Sequence, residues 1–512
     1  MTNRKVLTIV GALLASMLIT GCASVPLDVP KTASSALIDT DATSLAKSSA
    51  SWRVADPTRN GFYPLVQGFD AFGARLVLID RAERSIDVQY FLMKADLAGL
   101  VFAGKLMQAA ERGVRVRFLL DDIFTSVDDE ALTFLSQHPN IELRIFNPIS
   151  RRGLPALNYV GNFKLANRRM HNKSFTVDNQ IAIVGGRNIA EEYFQLDTTG
   201  EFIDFDMLAA GPVVKDISAS FDTYWNHELA VPMSVLSDVK DAEKMDARHS
   251  KLEAEMQKSG ESIYGEAVNT ELMQNIFGGQ VAPFFADART IVDDPQKLLE
   301  KVSPDHQIVA KAIAEALRNA EEEIIIYTPY FIPGKAGMEL IENVRAKGVR
   351  IVLITNSLAS NNHTPVHSAY SSYRKRLLVA GVELYEARAD AAQVILDDGS
   401  KELEQLTLHT KGIIIDRRYT FVGSLNLDPR SIDINTEMGV MIDSTDLGTV
   451  LAENSEKRVP TIAYQLKLDD KNKISWHATI DGREVVETKE PLTSGWRRFQ
   501  AWFLKIAPEK QL

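Results

Sequence analysis

Two histidine–lysine motifs with the same internal spacing occur in this chain of 512 residues. The first consists of His171, Lys173, Asp178 and the turn Gly185-Gly186-Arg187-Asn188. The second repeats each interval with His409, Lys411, Asp416 and Gly423-Ser424-Leu425-Asn426. So specific a pattern does not recur by chance. The sequence therefore predicts one active site built around a pair of histidines.

Two imidazoles, two lysines and several amide or hydroxyl donors suit phosphodiester chemistry. One imidazole attacks phosphorus and forms a phosphohistidine, while the other protonates the departing alcohol. The lysines stabilise charge on the non-bridging oxygens, and further donors are predicted at Asn188, Ser424 and Asn426. A zinc site is the alternative for a histidine pair, but Lys173 and Lys411 would repel the ion. We therefore expect neither a metal nor a cofactor.

The elements that position these residues follow from the sequence pattern. Each motif is predicted to form a strand, a turn and a returning strand, and residues i and i+2 of a strand share one face, so each histidine lies beside its lysine. Strand and helix signals alternate, and three landmarks recur at nearly one offset, namely Tyr90 and Tyr330, Gly113 and Gly348, and His171 and His409. This internal duplication predicts an α/β fold of two similar domains with largely parallel sheets.

Composition suggests where these domains begin and end. Residues 56–235 and 291–465 are predicted to form the two domains, and residues 236–290 to connect them through a charged, solvated helix. Residues 466–512 should form a hairpin around Asp481-Gly482 and then a basic amphipathic helix containing Trp496, Phe499 and Phe503. That helix either lies on a bilayer surface or packs on the protein's own core.

The N-terminus has the pattern of a lipoprotein signal. Arg4 and Lys5 precede an apolar run that is short for a membrane span, and the residues ending at Cys22 resemble a bacterial lipobox. We expect residues 1–21 to be removed, Cys22 to be lipidated, and residues 22–55 to form a flexible tether. The expected location is a membrane facing the periplasm, the outer membrane being favoured because Ala23 follows the cysteine. An uncleaved signal anchor is the alternative.

The duplicated motifs resemble those of the phospholipase D superfamily. The resemblance extends from about residue 56 to about residue 464 and implies two mixed, largely parallel sheets flanked by helices and packed with pseudo-two-fold symmetry around one site. It implies that Glu201 and Glu437, downstream of the motifs, orient the histidines. Asp178 and Asp416 belong to the catalytic motif of the family, although we expect them to brace a turn. Gly186 stands where the second motif has Ser424, so the two halves are not equivalent.

Within this superfamily, four further phrases resemble the bacterial cardiolipin synthases, and most closely their C-type. They are Gly61-Phe62-Tyr63-Pro64-Leu65, Ile86-Asp87-Val88-Gln89-Tyr90-Phe91, Asn426-Leu427-Asp428-Pro429-Arg430-Ser431 and Asn435-Thr436-Glu437-Met438-Gly439. The resemblance implies transfer of a phosphatidyl group from phosphatidylglycerol to a second phospholipid through a phosphohistidine on His171. The expected partners are phospholipids, either phosphatidylglycerol alone or also phosphatidylethanolamine, and a membrane reached through the lipid anchor.

Three alternatives remain open from the sequence. Water in place of the acceptor lipid would make the protein a phospholipase D, and compact relatives are nucleases. A net charge of −11 disfavours nucleic acid as a partner. A scaffold with a relic site is the non-enzyme alternative. A second group of residues would line a lipid or headgroup channel, unless His367 is a structural histidine. The group consists of Tyr330, His367, Tyr370, Tyr373 and Arg374.

Overall fold

The computed structural model describes residues 25–50, 58–150, 166–196, 200–237, 261–278, 282–395 and 401–506, and residues 250, 254, 280 and 509 singly. Within these ranges, no helix has both the length and the apolar character needed to cross a bilayer. Cys22 and most of the predicted charged connecting helix lie outside the described residues.

Strands and helices alternate along both halves of the chain. The strands are β1 (Asn60–Leu65), β2 (Ser85–Tyr90), β3 (Arg115–Asp121), β4 (Ile141–Phe146), β5 (Ser174–Val177), β6 (Ile181–Gly185), β7 (Gly200–Ile203), β8 (Asp206–Ala210), β9 (Ala230–Pro232), β10 (Phe284–Val292), β11 (Glu323–Tyr327), β12 (Arg350–Asn356), β13 (Glu383–Ala387), β14 (Ala392–Ile395), β15 (Lys401–Leu408), β16 (Gly412–Ile415), β17 (Tyr419–Gly423), β18 (Met438–Asp443), β19 (Ala463–Leu468), β20 (Ile474–Ile480) and β21 (Arg483–Glu487).

The α-helices flank the sheets. They are α1 (Ser44–Ala50), α2 (Gly68–Arg81), α3 (Leu97–Glu111), α4 (Asp129–Ser136), α5 (Glu191–Phe194), α6 (Pro212–Trp225), α7 (Met233–Leu236), α8 (Glu261–Val268), α9 (Glu271–Phe277), α10 (Ile308–Arg318), α11 (Gly334–Ala346), α12 (Thr364–Ser371), α13 (Arg374–Val379), α14 (Thr445–Ile462) and α15 (Gly495–Phe503).

The two halves have the same sheet topology. In the first half the strand order is β9-β4-β3-β2-β5-β6-β8-β1, with β2, β3 and β4 parallel and the other neighbours antiparallel. In the second half the order is β19-β13-β12-β11-β16-β17-β18-β10, with β11, β12 and β13 parallel. This confirms the predicted pair of duplicated α/β halves. Each sheet is mixed, and its parallel part is the three-strand unit that precedes the motif.

The halves are joined through their backbones. Strand β1 pairs antiparallel with β10, which makes the two sheets continuous. Strand β7 of the first half pairs in parallel with β15 of the second, with Ile203 opposite Leu408. Between them lies an apolar core drawn from both halves, including Phe62, Met207 and Val440. A domain boundary in the connecting segment therefore does not correspond to a gap in packing.

The N-terminal segment that was predicted to be a flexible tether packs on the first half. Lys31 donates to the carbonyl of Ala230 at 3.1 Å, and the buried Arg144 donates to the carbonyl of Thr32 at 2.6 Å. Leu45 of α1 is fully buried in the first core. The prediction was wrong for residues 31–50, because they contact the first half through backbone groups, short polar side chains, Lys31 and Leu45. A composition rich in Ser, Ala and Thr does not reveal such contacts.

The segments on either side of the second half also differ from the predicted boundaries. Helices α8 and α9 add Ala267, Met273 and Ile276 to the first core, and β10 begins at Phe284, before the predicted start of the second domain. The predicted C-terminal hairpin is confirmed as β20 and β21, with Asp481 and Gly482 at positive φ in the turn. Pairing of β19 with β20 adds this hairpin to the second sheet.

Candidate active site

Each motif histidine is hydrogen-bonded to a carboxylate supplied by the opposite half. His171 Nδ1 lies 2.9 Å from Glu437 Oε2, and His409 Nδ1 lies 2.7 Å from Asp204 Oδ2. All four side chains are buried. A carboxylate on Nδ1 fixes the ring orientation and tautomer and leaves Nε2 as the nitrogen available for chemistry.

The backbone holds the same crossed arrangement. The His171 N–H donates to the carbonyl of Thr436 at 3.0 Å, and Met170 forms a parallel bridge with Thr436. The His409 N–H donates to the carbonyl of Ile203 at 2.8 Å. Each histidine is thus positioned by the residue directly before the carboxylate that contacts it, so the two halves form one site.

The motif lysines lie beside the histidines, as the i and i+2 spacing predicts. Lys173 Nζ donates to the carbonyl of His171 at 2.6 Å. Lys411 Nζ lies 2.9 Å from Nδ1 and 3.1 Å from Nε2 of His409. Both lysines are buried. Two buried ammonium groups at one place are costly unless an anion is bound there, which is the property expected of a phosphate site.

Aromatic rings enclose the two imidazoles differently. Phe91 meets His171 edge-on with centroids 4.8 Å apart. Phe202 stacks on His409 at 5.3 Å, and Tyr193 meets that histidine edge-on at 5.0 Å. These rings exclude water and lower the local dielectric, which strengthens electrostatic interactions in the site. None of the three rings was predicted to lie in the site, because nothing in the sequence pattern separates them from ordinary core residues.

The titratable groups of the site respond to burial and to one another. Burial, with Lys411 next, lowers the pKa of His409 to about 3, and burial with Lys173 and Lys411 lowers the pKa of His171. Burial and the neighbouring Lys411 lower the pKa of Lys173 to about 7, and burial lowers that of Lys411 to about 8. The free site therefore holds neutral imidazoles and poorly tolerated ammonium groups. A bound phosphate would stabilise the charged form of both.

The two carboxylates differ in their ionisation. Burial raises the pKa of Glu437 to about 7, against the opposing effect of Lys173. Burial acts in the same direction on Asp204, but the hydrogen-bonded His409 and the nearby Lys411 outweigh it and hold the pKa of Asp204 below its usual value. Asp204 is therefore an ionised partner suited to supporting an imidazolium at His409. Glu437 is better suited to a neutral imidazole at His171.

Of the two residues predicted to orient the histidines, Glu437 does so and Glu201 does not. Glu437 orients His171 of the first motif, rather than His409 of its own half. Glu201 does not, because its side chain accepts a hydrogen bond from Gln195 and is partly exposed. Asp204 takes that role. The register pairs Gly185 with Asp206 and Gly423 with Gly439, so Asp204 and Glu437 occupy equivalent positions two residues earlier.

The difference between Gly186 and Ser424 has a steric reason. A Cβ atom at Gly186 would lie 2.2 Å from Oδ1 of Asp204, so only glycine leaves room for that carboxylate. In the second half Ser424 Oγ instead donates to Glu437 Oε2. The first motif therefore lacks the hydroxyl that Ser424 supplies in the second, because the carboxylate of Asp204 occupies that space.

The motif aspartates lie at the far ends of the strands. Asp178 accepts from the backbone N–H groups of Glu83, Arg84 and Ser85 at 3.0, 2.8 and 2.9 Å. Asp416 accepts in the same way from residues 321–323. Both stand at positive φ in the hairpin turns of their motifs. Their inclusion among the catalytic residues is therefore corrected, since they brace the turns as we also expected.

Of the predicted phosphate-binding side chains, Asn188 and Ser424 are already engaged by the protein. Asn188 Nδ2 donates to the Tyr193 hydroxyl at 2.9 Å, and its Oδ1 accepts from the Leu92 N–H at 3.4 Å. Ser424 Oγ also accepts from the N–H of Met438 at 3.0 Å. Asn426 differs, because its buried Oδ1 has no partner among the described residues. Two of the three predicted phosphate-binding side chains are therefore occupied by hydrogen bonds within the protein.

The second predicted group, around His367, forms a buried structural cluster. Glu386 accepts from Tyr370, Arg374 and Trp476 at 2.7, 2.6 and 2.9 Å. Arg374 Nη2 lies 3.0 Å from His367 Nε2. These polar groups are matched to one another, so they anchor α12 and α13 to the second sheet. For His367, Tyr370 and Arg374 the predicted role as a channel lining is therefore corrected, and His367 is a structural histidine.

Comparisons with known proteins agree with this geometry. The family model described as "Cardiolipin synthase, PLD-like domain" matches residues 76–225 and 313–458. The chain is 37% identical to cardiolipin synthase C of Escherichia coli strain K12, over 89% of this chain and 97% of that protein. It is 24% identical to a cardiolipin synthase of Clostridium perfringens strain SM101, over 83% of this chain and 76% of the relative.

A solved structure shows the same fold. The crystal structure of phosphatidylserine synthase from Haemophilus influenzae Rd KW20 superposes with a TM-score of 0.54. The superposition covers 83% of this chain and 92% of that chain at 13% sequence identity. At that identity the likeness concerns the fold alone.

Proposed function

The chain belongs to the phospholipase D-like family of cardiolipin synthases and is a phospholipase D-type phosphatidyltransferase; from this premise we propose that it forms cardiolipin from phosphatidylglycerol and a second phospholipid through a phosphohistidine. Two imidazoles oriented by carboxylates at Nδ1, beside two buried lysines, are the groups that a two-step phosphoryl displacement needs. The crossed pairs His171–Glu437 and His409–Asp204 are the observation that carries the proposal.

In the first step, Nε2 of His171 attacks the phosphorus of phosphatidylglycerol. The bound phosphate anion stabilises the protonated form of His409. The bond to the headgroup oxygen breaks, and glycerol leaves with the proton of His409 Nε2, which becomes neutral. In the second step, a hydroxyl of the acceptor lipid gives its proton to His409 and attacks phosphorus. The phosphorus–nitrogen bond then breaks, which releases cardiolipin and restores the neutral imidazole of His171. Lys173 and Lys411 stabilise the charge on the non-bridging oxygens in both steps.

The assignment of roles is supported by the two carboxylates. An acid must carry a proton when the alcohol departs, and the ionised Asp204 stabilises an imidazolium at His409. A nucleophile must be neutral, and the pKa of Glu437, raised to about 7, gives less support to a charged ring at His171. His171 is therefore the nucleophile and His409 the acid in this proposal.

The direct test is a denaturing quench at alkaline pH, where the phosphorus–nitrogen bond survives, after brief exposure to phosphatidylglycerol labelled in its phosphate, followed by peptide mapping. We expect the label on the peptide that contains His171 in the wild-type protein, and its loss in His171→Ala. A label on the peptide that contains His409 would reverse the roles. Lipid extracts of the same reactions identify the product, and phosphatidic acid in place of cardiolipin would refute transfer to a second lipid.

The membrane attachment is a separate proposal. The apolar N-terminal run and the lipobox-like residues before Cys22 support lipidation of that cysteine and a periplasm-facing location, with the outer membrane favoured. Mass spectrometry of the N-terminal peptide from isolated membranes tests this proposal. We expect a diacylglyceryl group on Cys22 and none in Cys22→Ser. An unmodified Met1 at the N-terminus would refute it.

A further inference from the structure

Helix α15 presents its apolar side to solvent. Six large apolar side chains on and beside it are exposed, and we call them the aromatic patch: Leu492, Trp496, Phe499, Trp502, Phe503 and Ile506. Trp496 is 66% exposed, Trp502 is 65% exposed and Ile506 is 78% exposed. Phe499 lies at the centre, with its ring centroid 5.5 Å from Trp496 and 5.9 Å from Trp502. Contiguous apolar surface of this kind marks an interaction site.

The inward side of the same helix is polar. Arg497 donates to the carbonyl of Asn361 at 2.7 Å, and Arg498 donates to the carbonyl of Thr493. Ala501, one turn further along the helix, is its buried residue. A surface helix of a globular protein normally turns its apolar stripe to the core. Here the orientation is reversed, so packing on the protein's own core, one of the two predictions for this helix, is excluded for these side chains.

The charge around the patch differs from that of the whole protein. The chain carries a net charge of −11, yet residues 491–508 include Arg497, Arg498 and Lys505 and no carboxylate. Tryptophan and phenylalanine flanked by cations are the residues that settle at the headgroup level of a bilayer, where anionic lipids attract the cations. Lys505 is exposed beside the patch, and Arg497 and Arg498 lie behind it with their guanidinium groups bound to backbone carbonyls. The local charge is therefore positive and complements an anionic lipid surface.

The aromatic patch lies at the same edge of the second sheet as His409. Asn361, which accepts from Arg497, belongs to the loop that follows β12. The last residue of β12, Asn356, exchanges two hydrogen bonds with Leu408, directly before His409. In the first half, the loop after β3 carries the exposed Phe124, whose ring packs on Phe91 beside His171. Both loops at the site edge therefore bear outward aromatic surface or support it.

We propose that the aromatic patch inserts into the headgroup layer of an anionic phospholipid bilayer and holds the active-site edge against that surface. The benefit to turnover rests on the proposed lipid substrate, but the docking does not depend on it. The patch is a second attachment that orients the enzyme, whereas the proposed lipid on Cys22 would only tether it.

Quenching of tryptophan fluorescence by brominated phospholipids tests the insertion in the full-length protein. Trp496 and Trp502 are exposed in the patch, whereas Trp225 and Trp476 are buried. We expect strong quenching on vesicles that contain brominated phosphatidylglycerol. The variant Phe499→Glu/Trp502→Glu/Phe503→Glu should lose most of it and reduce turnover on vesicles by more than about tenfold. Val450→Glu, at an exposed valine of α14, is the matched control and should behave as the wild type.

Two further measurements separate docking from catalysis. His409→Ala should be quenched like the wild type, which tests docking even if the proposed reaction is wrong. The triple variant should retain wild-type turnover on short-chain phosphatidylglycerol dispersed as monomers. Absence of quenching in the wild type would overturn the proposal, as would equal losses on monomeric and vesicle substrates. A dimer that dissociates in the triple variant, without quenching in the wild type, would assign the patch to a second copy of the chain instead.

Discussion

At each histidine, one carboxylate decides which ring nitrogen is free to react. Asp204 and Glu437 each accept from Nδ1, so Nε2 is left as the reactive atom at both rings. Neighbouring groups then separate the two pairs, because only Asp204 is held ionised by its surroundings. A pair of chemically identical imidazoles can therefore perform opposite tasks in one displacement.

Exchange of Asp204 for its amide tests this division of labour. Asp204→Asn should lower kcat by between about 10²- and 10⁴-fold, because the amide no longer fixes the tautomer or stabilises the imidazolium of His409. Turnover under saturating substrate measures the effect. Glu201→Gln is the matched control, since it makes the same chemical change three residues earlier, and it should remain close to wild type. A large loss in Glu201→Gln with a small one in Asp204→Asn would contradict the assignment.

The lysines should set the alkaline limit of activity. The pKa of Lys173 is about 7 and that of Lys411 about 8 in the free site, so each is protonated below that value and neutral above it. Because the charged form binds the anionic phosphate, kcat/KM should fall as pH rises through about 7 to 8. A pH profile of kcat/KM measures this. Lys173→Arg, whose guanidinium stays charged, should move the limb from about 7 to about 8, where Lys411 loses its proton. An unchanged limb would contradict the assignment.

At the scale of the elements, the motif hairpins are held in place by their aspartates. Asp178 and Asp416 each accept hydrogen bonds from three backbone N–H groups in the segments that lead into β2 and β11. They therefore fix where the parallel unit of each half begins relative to the histidine strand. Their contribution is to stability, and only through it to activity.

Removal of one of these carboxylates should destabilise the fold without abolishing chemistry. Asp178→Ala should lower the free energy of unfolding by about 3 kcal/mol, because buried N–H groups lose a charged acceptor. Asp416→Ala should cost less, since its turn is more exposed. Denaturant unfolding with activity per folded molecule checks both. Asp481→Asn, in the C-terminal hairpin turn, is the control and should change stability by less than about 0.5 kcal/mol.

Sequence patterns predicted these elements well where the information is local. The i and i+2 spacing placed His171 and Lys173 together, and Asp481-Gly482 marked a hairpin. The partner of His409 escaped prediction because it depends on strand register. Glu201 was chosen by its distance from the motif, whereas pairing of Gly185 with Asp206 makes Asp204 the equivalent of Glu437. Contacts made by backbone N–H and carbonyl groups, as at Thr32, Ser34 and Ala36, cannot be predicted from the pattern of side chains.

At the scale of the whole molecule, the active site belongs to neither half. Each half contributes one histidine and the carboxylate for the other half's histidine. Strand pairings β1–β10 and β7–β15 keep the two contributions in register. A half on its own would hold a histidine without its partner.

Complementation between inactive chains tests whether one chain holds a complete site. His171→Ala and His409→Ala should each lower turnover by several orders of magnitude, and co-expression of the two should not restore it, because both motifs of a site come from one chain. Turnover of the co-purified variants measures this. Activity near half of the wild-type value would mean that halves from different chains assemble one site.

The crossed contacts also order events during synthesis. Glu437 follows His171 by 266 residues, and His409 follows Asp204 by 205 residues. A ribosome has therefore made the whole first half long before the acid that orients its histidine exists. Unfinished or prematurely terminated chains are consequently inert towards lipids, and activity begins only when the second half folds against the first.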